Sequence, residues 1–295
     1  MLMTTGGLLK RSTGLALVAL AAALFVPAPD AEAQQSLPRV MSLNLCTDQL
    51  AMALADPEQL MSVSFLARDR TISPMWREAQ NFPVNHGIAE EVFLAQPDLV
   101  VTGTFSQHNT TFLLRRVGLP VEEFDFAMTL ETIPGEIRRM GALLHQQEKA
   151  EKLASDFAAS LDAIEKQQCE PKPTILAFEQ NGISPGKETL ADSVFRAAGF
   201  RNLAAEAGLV GAAPFPLELV VAQEPDVIVV QASEDEAPTL GAYVLRHPAM
   251  KHLNSRIDSF LPPGSWACNG PLIIDAVKAL AELRQKVAPC AETTE

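Results

Sequence analysis

Apolar positions along the chain fall into two alternating rhythms. Short β-rich runs, RVMSL (39–43), MSVSF (61–65), DLVVTG (98–103) and VEEFDF (121–126), read as strands. Between them lie stretches with helical spacing: 49–55, ended by Asp56-Pro57; AEEVFLAQ (89–96), stopped by Pro97; and TTFLLRRVG (110–118), closed by Gly118. Residues 67–87 are polar and turn-rich and read as mostly loop. Strands alternating with short helices predict an α/β unit with a mostly parallel sheet.

A helical region follows. Ile133, Ile137, Met140 and Leu144 recur at spacings of three and four, and after the polar break HQQEK so do Leu153, Phe157, Leu161 and Ile164. The second of these helices is long, roughly 30 Å at 1.5 Å per residue, and Pro171 and Pro173 end it. The first rhythm then resumes: strand PTILAFE, loop NGISPGKE, helix TLADSVFRAAG, helix LELVVAQ, strand DVIVVQA, strand RIDSFL and a closing amphipathic helix, PLIIDAVKALAELRQK. The expected architecture is two Rossmann-like α/β lobes with mostly parallel sheets, bridged by one long helix, with a cleft between them. The boundaries are a leader at 1–33, a first lobe at 34–145, a connecting helix at 146–170 and a second lobe at 171–295.

The lobes also share a sentence. EEVFLAQPDLVV, from Glu90, is echoed without a gap by ELVVAQEPDVIV, from Glu218, so that Pro97 matches Pro225 and Asp98 matches Asp226. Each copy is a helix followed by a strand, and each opens on a glutamate. A carboxylate in a first helical turn is favoured by the helix dipole by about 0.3–1 kcal/mol, which by itself explains a glutamate there.

At the N-terminus, Lys10 and Arg11 precede an apolar run from Gly14 to Val26 and a small-x-small site at Ala31-Glu32-Ala33. This is the form of a secretory signal peptide, with the mature chain starting near Gln34. The run is shorter than the ~20 residues a spanning helix needs, and the first cysteine, Cys46, lies too far on for a lipid anchor. The expectation is an exported, periplasmic protein. A net charge of −13, with 47% hydrophobic and 20% charged residues, excludes the basic stripe of a nucleic-acid surface and suits a monomer in solution. Export also gives the four cysteines an oxidising environment. Cys169 follows the connecting helix and Cys290 follows the closing helix, so these two are expected to pair. Cys46 and Cys268 each fall in a predicted cleft loop, as soft ligands, a disulfide or inert thiols. With the other pair formed they are expected to stay free, since a bond across the cleft would lock it.

In open α/β sheets, ligands bind beyond the carboxyl ends of the strands. The strand-end candidates are Asn44, Cys46 and Thr47; Arg68 and Trp76; Phe105, Ser106 and Gln107; Glu179, Asn181, Ser184 and Lys187; and Trp266 and Asn269. The tryptophans and Phe105 suit a large planar ligand. Arg68, Arg70 and Arg77 suit an anionic chelate, to which guanidinium groups give charge-assisted bonds. Gly182-Ile183-Ser184-Pro185-Gly186 matches the nucleophile-elbow pattern of serine hydrolases, with Asp226, His247 and His252 downstream. The oxyanion hole, however, needs the N–H of the residue after the serine, and that residue is proline. No catalytic residue is therefore assigned. Dinucleotide, Walker and zincin motifs are absent from the sequence. The five histidines make no ligand cluster, although His86 and His108 could reach a cleft.

Two α/β lobes on one long helix, a leader, and E-x6-P-D before a β-run in each lobe resemble the ABC-importer periplasmic binding proteins for vitamin B12 and ferric siderophores. The resemblance runs from Arg39 to Val287. It rests on the two repeated segments, on ISPGKETLADSVFRAAGFRNLA and on RHPAMKHL…SWACNGPLIIDAVKAL. The Gly-Lys-Glu-Thr turn is especially similar to the B12-binding protein. Tyr243 is the one tyrosine, whereas siderophore and haem sites of the family often use several. The resemblance implies a binding protein without an enzymatic cofactor, taking a ferric siderophore first or a corrinoid second, with bare metal or haem as the alternative. It also implies that Glu90 and Glu218 dock into arginine pockets on the membrane permease dimer.

Overall fold

The computed structural model describes residues 37–125, 129–230, 243–244, 247–258, 268 and 270–290. The leader, Trp266 and Asn269 lie outside the described residues. From Leu37 onward the chain forms one compact unit.

The first half builds a five-stranded parallel sheet from β1 (Val40–Ser42), β2 (Leu60–Ser64), β3 (Val84–Asn85), β4 (Leu99–Gly103) and β5 (Val121–Phe124), in the order β3-β2-β1-β4-β5. The second half builds a four-stranded parallel sheet from β6 (Thr174–Ala177), β8 (Arg201–Asn202), β10 (Val227–Val229) and β11 (Arg256–Asp258), in the order β11-β10-β6-β8. The fold is α/β with mostly parallel sheets, as expected. Four strands were not expected from the sequence. β3 is a two-residue piece inside the predicted loop, and β8 is a two-residue piece after the helix that Gly199 closes. The segment Ile183–Pro185 is a strand, β7, paired antiparallel with β9 (Ala212–Pro214). All four are too short to show an alternating pattern, so pairing with a neighbour defines them.

Of the helices, α1 (Leu45–Leu54) starts four residues earlier than expected. The Asn44 side chain accepts from the N–H groups of Cys46 and Thr47 and caps it. Asn44-Leu45-Cys46-Thr47 is thus a cap and first turn, not a loop. The other helices are α2 (Ala89–Ala95), α3 (His108–Arg116), α4 (Ile133–Leu143), α5 (Gln147–Lys166), α6 (Leu190–Ala197), α7 (Leu203–Glu206), α8 (Leu217–Gln223) and α9 (Ile273–Val287). The predicted apolar stripes are the buried ones. Ile133, Ile137, Met140 and Leu144 of α4 and its end, with Phe157, Leu161 and Ile164 of α5, join Val40 and Val101 of the first sheet and Ile175 and Val229 of the second in one continuous core. A core shared by both sheets binds the two halves together more firmly than a connecting helix alone.

The repeated P-D pair has a structural role. Asp98 accepts a hydrogen bond from the N–H of Arg39 at the mouth of β1 (2.8 Å), and Asp226 accepts from the N–H of Thr174 at the start of β6 (2.7 Å). Before each proline the chain turns through a left-handed residue, Gln96 (φ 48°) and Glu224 (φ 39°), which ends α2 and α8. In both halves the motif stops a helix and ties the strand it starts to the central strand beside it.

All four cysteines are paired. Cys169 is bonded to Cys290, with Cα atoms 5.8 Å apart. Cys46 is bonded to Cys268, with Cα atoms 5.0 Å apart, which overturns the expectation that these two stay free. That expectation placed them on opposite sides of a moving mouth. Instead, Gly270 packs against Gln49, one turn along α1 from Cys46, so the chain leading into α9 lies on α1 itself and brings the two sulfurs together. Arg284 of α9 is fully buried beside the other disulfide, donating to the carbonyl oxygens of Cys169 and Ala288. The ends of α5 and α9 meet there, and the exposed carbonyls of two helix C-termini offset its charge.

Candidate functional site

In the first sheet the chain runs outward from β1 to β2 and β3, then returns to lay β4 on the other side of β1. The strand order therefore reverses between β1 and β4, and a crevice opens beyond their carboxyl ends. A pocket of about 220 Å³ lies there, lined by Asn44, Cys46, Thr47 and Leu50 after β1, by Gly103 to Ser106 after β4, and by Phe124 and Asp125 at β5. Sequence reasoning chose Asn44, Cys46, Thr47, Phe105 and Ser106, and the structure brings these five together.

They play different parts. Phe105 is 82% exposed, an uncovered aromatic ring at the pocket's lip. Asn44 caps α1 with its oxygen and donates from Nδ2 to Ser106 Oγ (3.1 Å), while Ser106 Oγ donates to the carbonyl of Gly103 (3.1 Å). These groups hold the two strand ends in register. Thr47 is buried, and its hydroxyl donates to the Asn44 carbonyl (3.0 Å) and shares a bond with Ser42 (2.8 Å), so it shapes the floor. Cys46 enters through its disulfide, which makes soft-ligand chemistry unavailable to it. Gln107 sits beside the pocket in a left-handed conformation (φ 58°) and leans on Gly87.

Next to Thr47 on α1 is Asp48, whose carboxylate faces the end of β2 and which sequence reasoning passed over. It is fully buried, accepts from Ser64 N–H (3.0 Å) and from Ser64 Oγ (2.5 Å), and has its pKa pushed up to about 7 by burial, against the opposing pull of bonds from Ser42 and Ser64. Asp48 stands just before the predicted helix at 49–55, so the sequence pattern carried no signal of its burial.

Other candidates are placed elsewhere. Arg68 spends its guanidinium on the chain, donating to the carbonyls of Ala79 (3.2 Å) and Phe82 (2.5 Å), so it pins the 69–83 segment and is not a free cation. Trp76 is half-buried, with Arg77 (4.3 Å from the ring centre) and Arg70 (5.1 Å) over its ring, so the ring is already engaged by cation–π contacts. In the second sheet the order reverses between β6 and β10. Glu179 follows β6 there, half-buried, and burial raises its pKa. Asn181 is exposed with φ 61°, and Lys187 is exposed. Ser184 is fully buried in β7. Its hydroxyl is shielded from solvent, which leaves the nucleophile-elbow pattern without an accessible serine. Glu90 and Glu218 are the second residues of α2 and α8, and both are exposed.

Paired switch points, a pocket at the strand ends and a shared core joining two parallel sheets define a two-lobed α/β ligand-binding protein. The chain belongs to the periplasmic binding protein family, whose model matches residues 40–255. Among curated relatives, it is 26% identical over 208 residues to a cobalamin-binding protein of Halobacterium salinarum, covering 67% of this chain and 54% of the relative. The chain therefore spans about half the length of that relative. It is 25% identical over 218 residues to the vitamin B12-binding protein of Pectobacterium atrosepticum, covering 70% of this chain and 75% of the relative. Similar solved structures include the periplasmic heme-binding protein RhuT from Roseiflexus sp. RS-1 in apo form, with TM-score 0.68, 22% identity, and coverage of 85% of this chain and 98% of that one. An ABC-type Fe3+-hydroxamate transport protein from Saccharomonospora viridis has TM-score 0.59, 18% identity, and coverage of 83% and 93%. These structural likenesses establish the fold. No helix among the described residues is long and apolar enough to cross a membrane.

Proposed function

We propose that this protein captures a metal chelate outside the cytoplasmic membrane and delivers it to the permease of an ABC importer, with a corrinoid-like planar chelate as the preferred cargo. The observation that carries the reading is the pocket at the first switch point, with the exposed ring of Phe105 beside hydrogen-bonding groups of Asn44 and Ser106. An aromatic face with a few fixed polar groups suits a large flat ligand. An anionic ferric siderophore, favoured from the sequence, loses its main support. Arg68 is committed to backbone carbonyls, Arg70 and Arg77 are stacked on Trp76, and none of the described residues lining the pocket is a lysine or arginine. Names of two curated relatives, both cobalamin binders, point the same way. Glu90 and Glu218, exposed at matching positions of α2 and α8, are the docking carboxylates in this reading.

A thermal-shift panel of cobalamins, haemin and ferric hydroxamates on the mature protein tests it. A cargo present at 100 times its Kd stabilises the fold by about 2.7 kcal/mol. Stabilisation by ferric hydroxamates alone would restore the siderophore reading, and stabilisation by none of the three would refute chelate capture.

A further inference from the structure

We propose that the pocket selects its macrocycle by the charge of the rim, with Asp125 admitting a rim of carboxamides and turning away one of carboxylates. This rests on the chelate reading above and deepens it, because a corrin ring is edged by acetamide and propionamide chains whereas haem carries two propionates.

Asp125 is held at the pocket by its strand. It directly follows β5, and Phe124, the last residue of β5, pairs with Gly103 at the end of β4. The N–H of Thr104 donates to the Phe124 carbonyl (3.1 Å), which fixes the peptide leading into Asp125 against the wall that Thr104 forms. Asp125 itself is exposed. A flat ligand resting on the Phe105 ring brings its rim to these strand ends.

The rest of the described lining adds no positive charge. Its other polar side chains are neutral, and Cys46 is held in a disulfide. The N-terminus of α1 would ordinarily attract an anion, but the Asn44 oxygen already accepts from the N–H groups of Cys46 and Thr47. Arg139 lies over the Phe124 ring (4.4 Å), yet its guanidinium is paired with Glu122 (2.9 Å) and Glu136 (3.6 Å). At the second switch point the group close after β6 is again a carboxyl, that of Glu179.

A carboxylate has about four acceptor sites and no donor. It can take a charge-assisted hydrogen bond from an amide N–H alongside any other contact it makes. Towards a second carboxylate it has nothing to donate. Both groups then lose hydration, and like charges a few Å apart at a protein surface repel more strongly than in bulk water. Asparagine has the same shape, and it can accept from an amide and donate to a carboxylate, so that exchange isolates the charge.

The test titrates the mature protein by calorimetry with dicyanocobinamide and with dicyanocobyrinic acid, at about 0.15 M salt to screen distant charges. These probes share the corrin ring and its two axial cyanides and differ at the rim, with amides in the first and carboxylates in the second. The wild type is expected to favour the amide form by at least roughly thirtyfold. Asp125→Asn, checked for folding by its melting curve, is expected to narrow that ratio about tenfold, mainly by binding the acid form more tightly. Repulsion from the net charge of −13 acts on both proteins and leaves the ratio the same. An unchanged ratio, or a wild type that binds the acid form as tightly as the amide form, overturns the role of Asp125 while chelate capture stands. Binding of haemin or ferric hydroxamates without either corrinoid overturns this inference together with the corrinoid preference. Binding of none of them overturns chelate capture as well.

Discussion

Replacing Asp48 by asparagine isolates the energetic consequence of burying a carboxyl between α1 and the end of β2. Its pKa rises from the ordinary 3.8 to about 7, and each pH unit of difference between folded and unfolded states corresponds to 1.36 kcal/mol. The ionised side chain therefore costs the folded protein roughly 4 kcal/mol relative to its neutral form. The sign follows from proton binding. Between pH 4 and 7 the folded state holds a proton that the unfolded chain has released, so the contribution of Asp48 to stability declines as pH rises through that window and is level above it. Asparagine has no such slope. Its oxygen can still accept from the Ser64 N–H, and its amide can donate to Ser64 Oγ, which accepts as well as donates. Urea denaturation of wild type and Asp48→Asn at pH 5, 6, 7 and 8 is the assay, because the difference between the curves cancels every other titrating group. The variant is expected to gain on the wild type with each step and to be the more stable protein at pH 8, by up to about 4 kcal/mol. Parallel stability curves, or a variant that is less stable at pH 8, would refute the assignment of a neutral buried Asp48.

Three further outcomes are expected. Glu90→Ala with Glu218→Ala leaves the melting curve and chelate affinity nearly unchanged but weakens delivery to permease-containing vesicles by the 2–5 kcal/mol of a half-removed charge pair; uptake at the wild-type rate would exclude docking through these residues. Asp98→Ala and Asp226→Ala each remove an acceptor for a strand-end N–H and are expected to destabilise by about 1–3 kcal/mol in urea, without a selective effect on delivery. Cys46→Ser with Cys268→Ser opens a link between residues 222 apart in sequence, with a loss of at most about 5 kcal/mol in the chain-entropy model. Small-angle scattering is expected to show a larger ligand-dependent change in radius of gyration than in the wild type, and identical changes would mean that the disulfide does not restrain the cleft.

The matched glutamates show where sequence reasoning reaches its limit. Their register and their place in a helical first turn were legible, since both follow from counting residues back from a proline. Their exposure could not be read from an apolar stripe, because Phe93 and Leu94 of α2 and Leu219 and Val221 of α8 are exposed as well. That the repeated aspartates tie a strand end was not legible, because the partner of Asp98 is Arg39, 59 positions away, and the partner of Asp226 is Thr174, 52 positions away.

The sequence by itself determined what depends on local order: the strand–helix alternation, the buried stripes of α4 and α5, the length of α5, and the family. Helical and strand periodicities are written at spacings of two to four residues, and a parallel α/β chain has few topologies open to it. Tertiary structure alone decided the rest. Cys46 meets Cys268 because α9's approach packs on α1, and no spacing along the chain encodes that meeting. Arg68 and Ser184 look like available ligands in one dimension. In three, the first is consumed by carbonyls of its own loop and the second is fully buried in β7. Availability is a property of what else has come close, and closeness between distant segments is settled only when the core they share has formed.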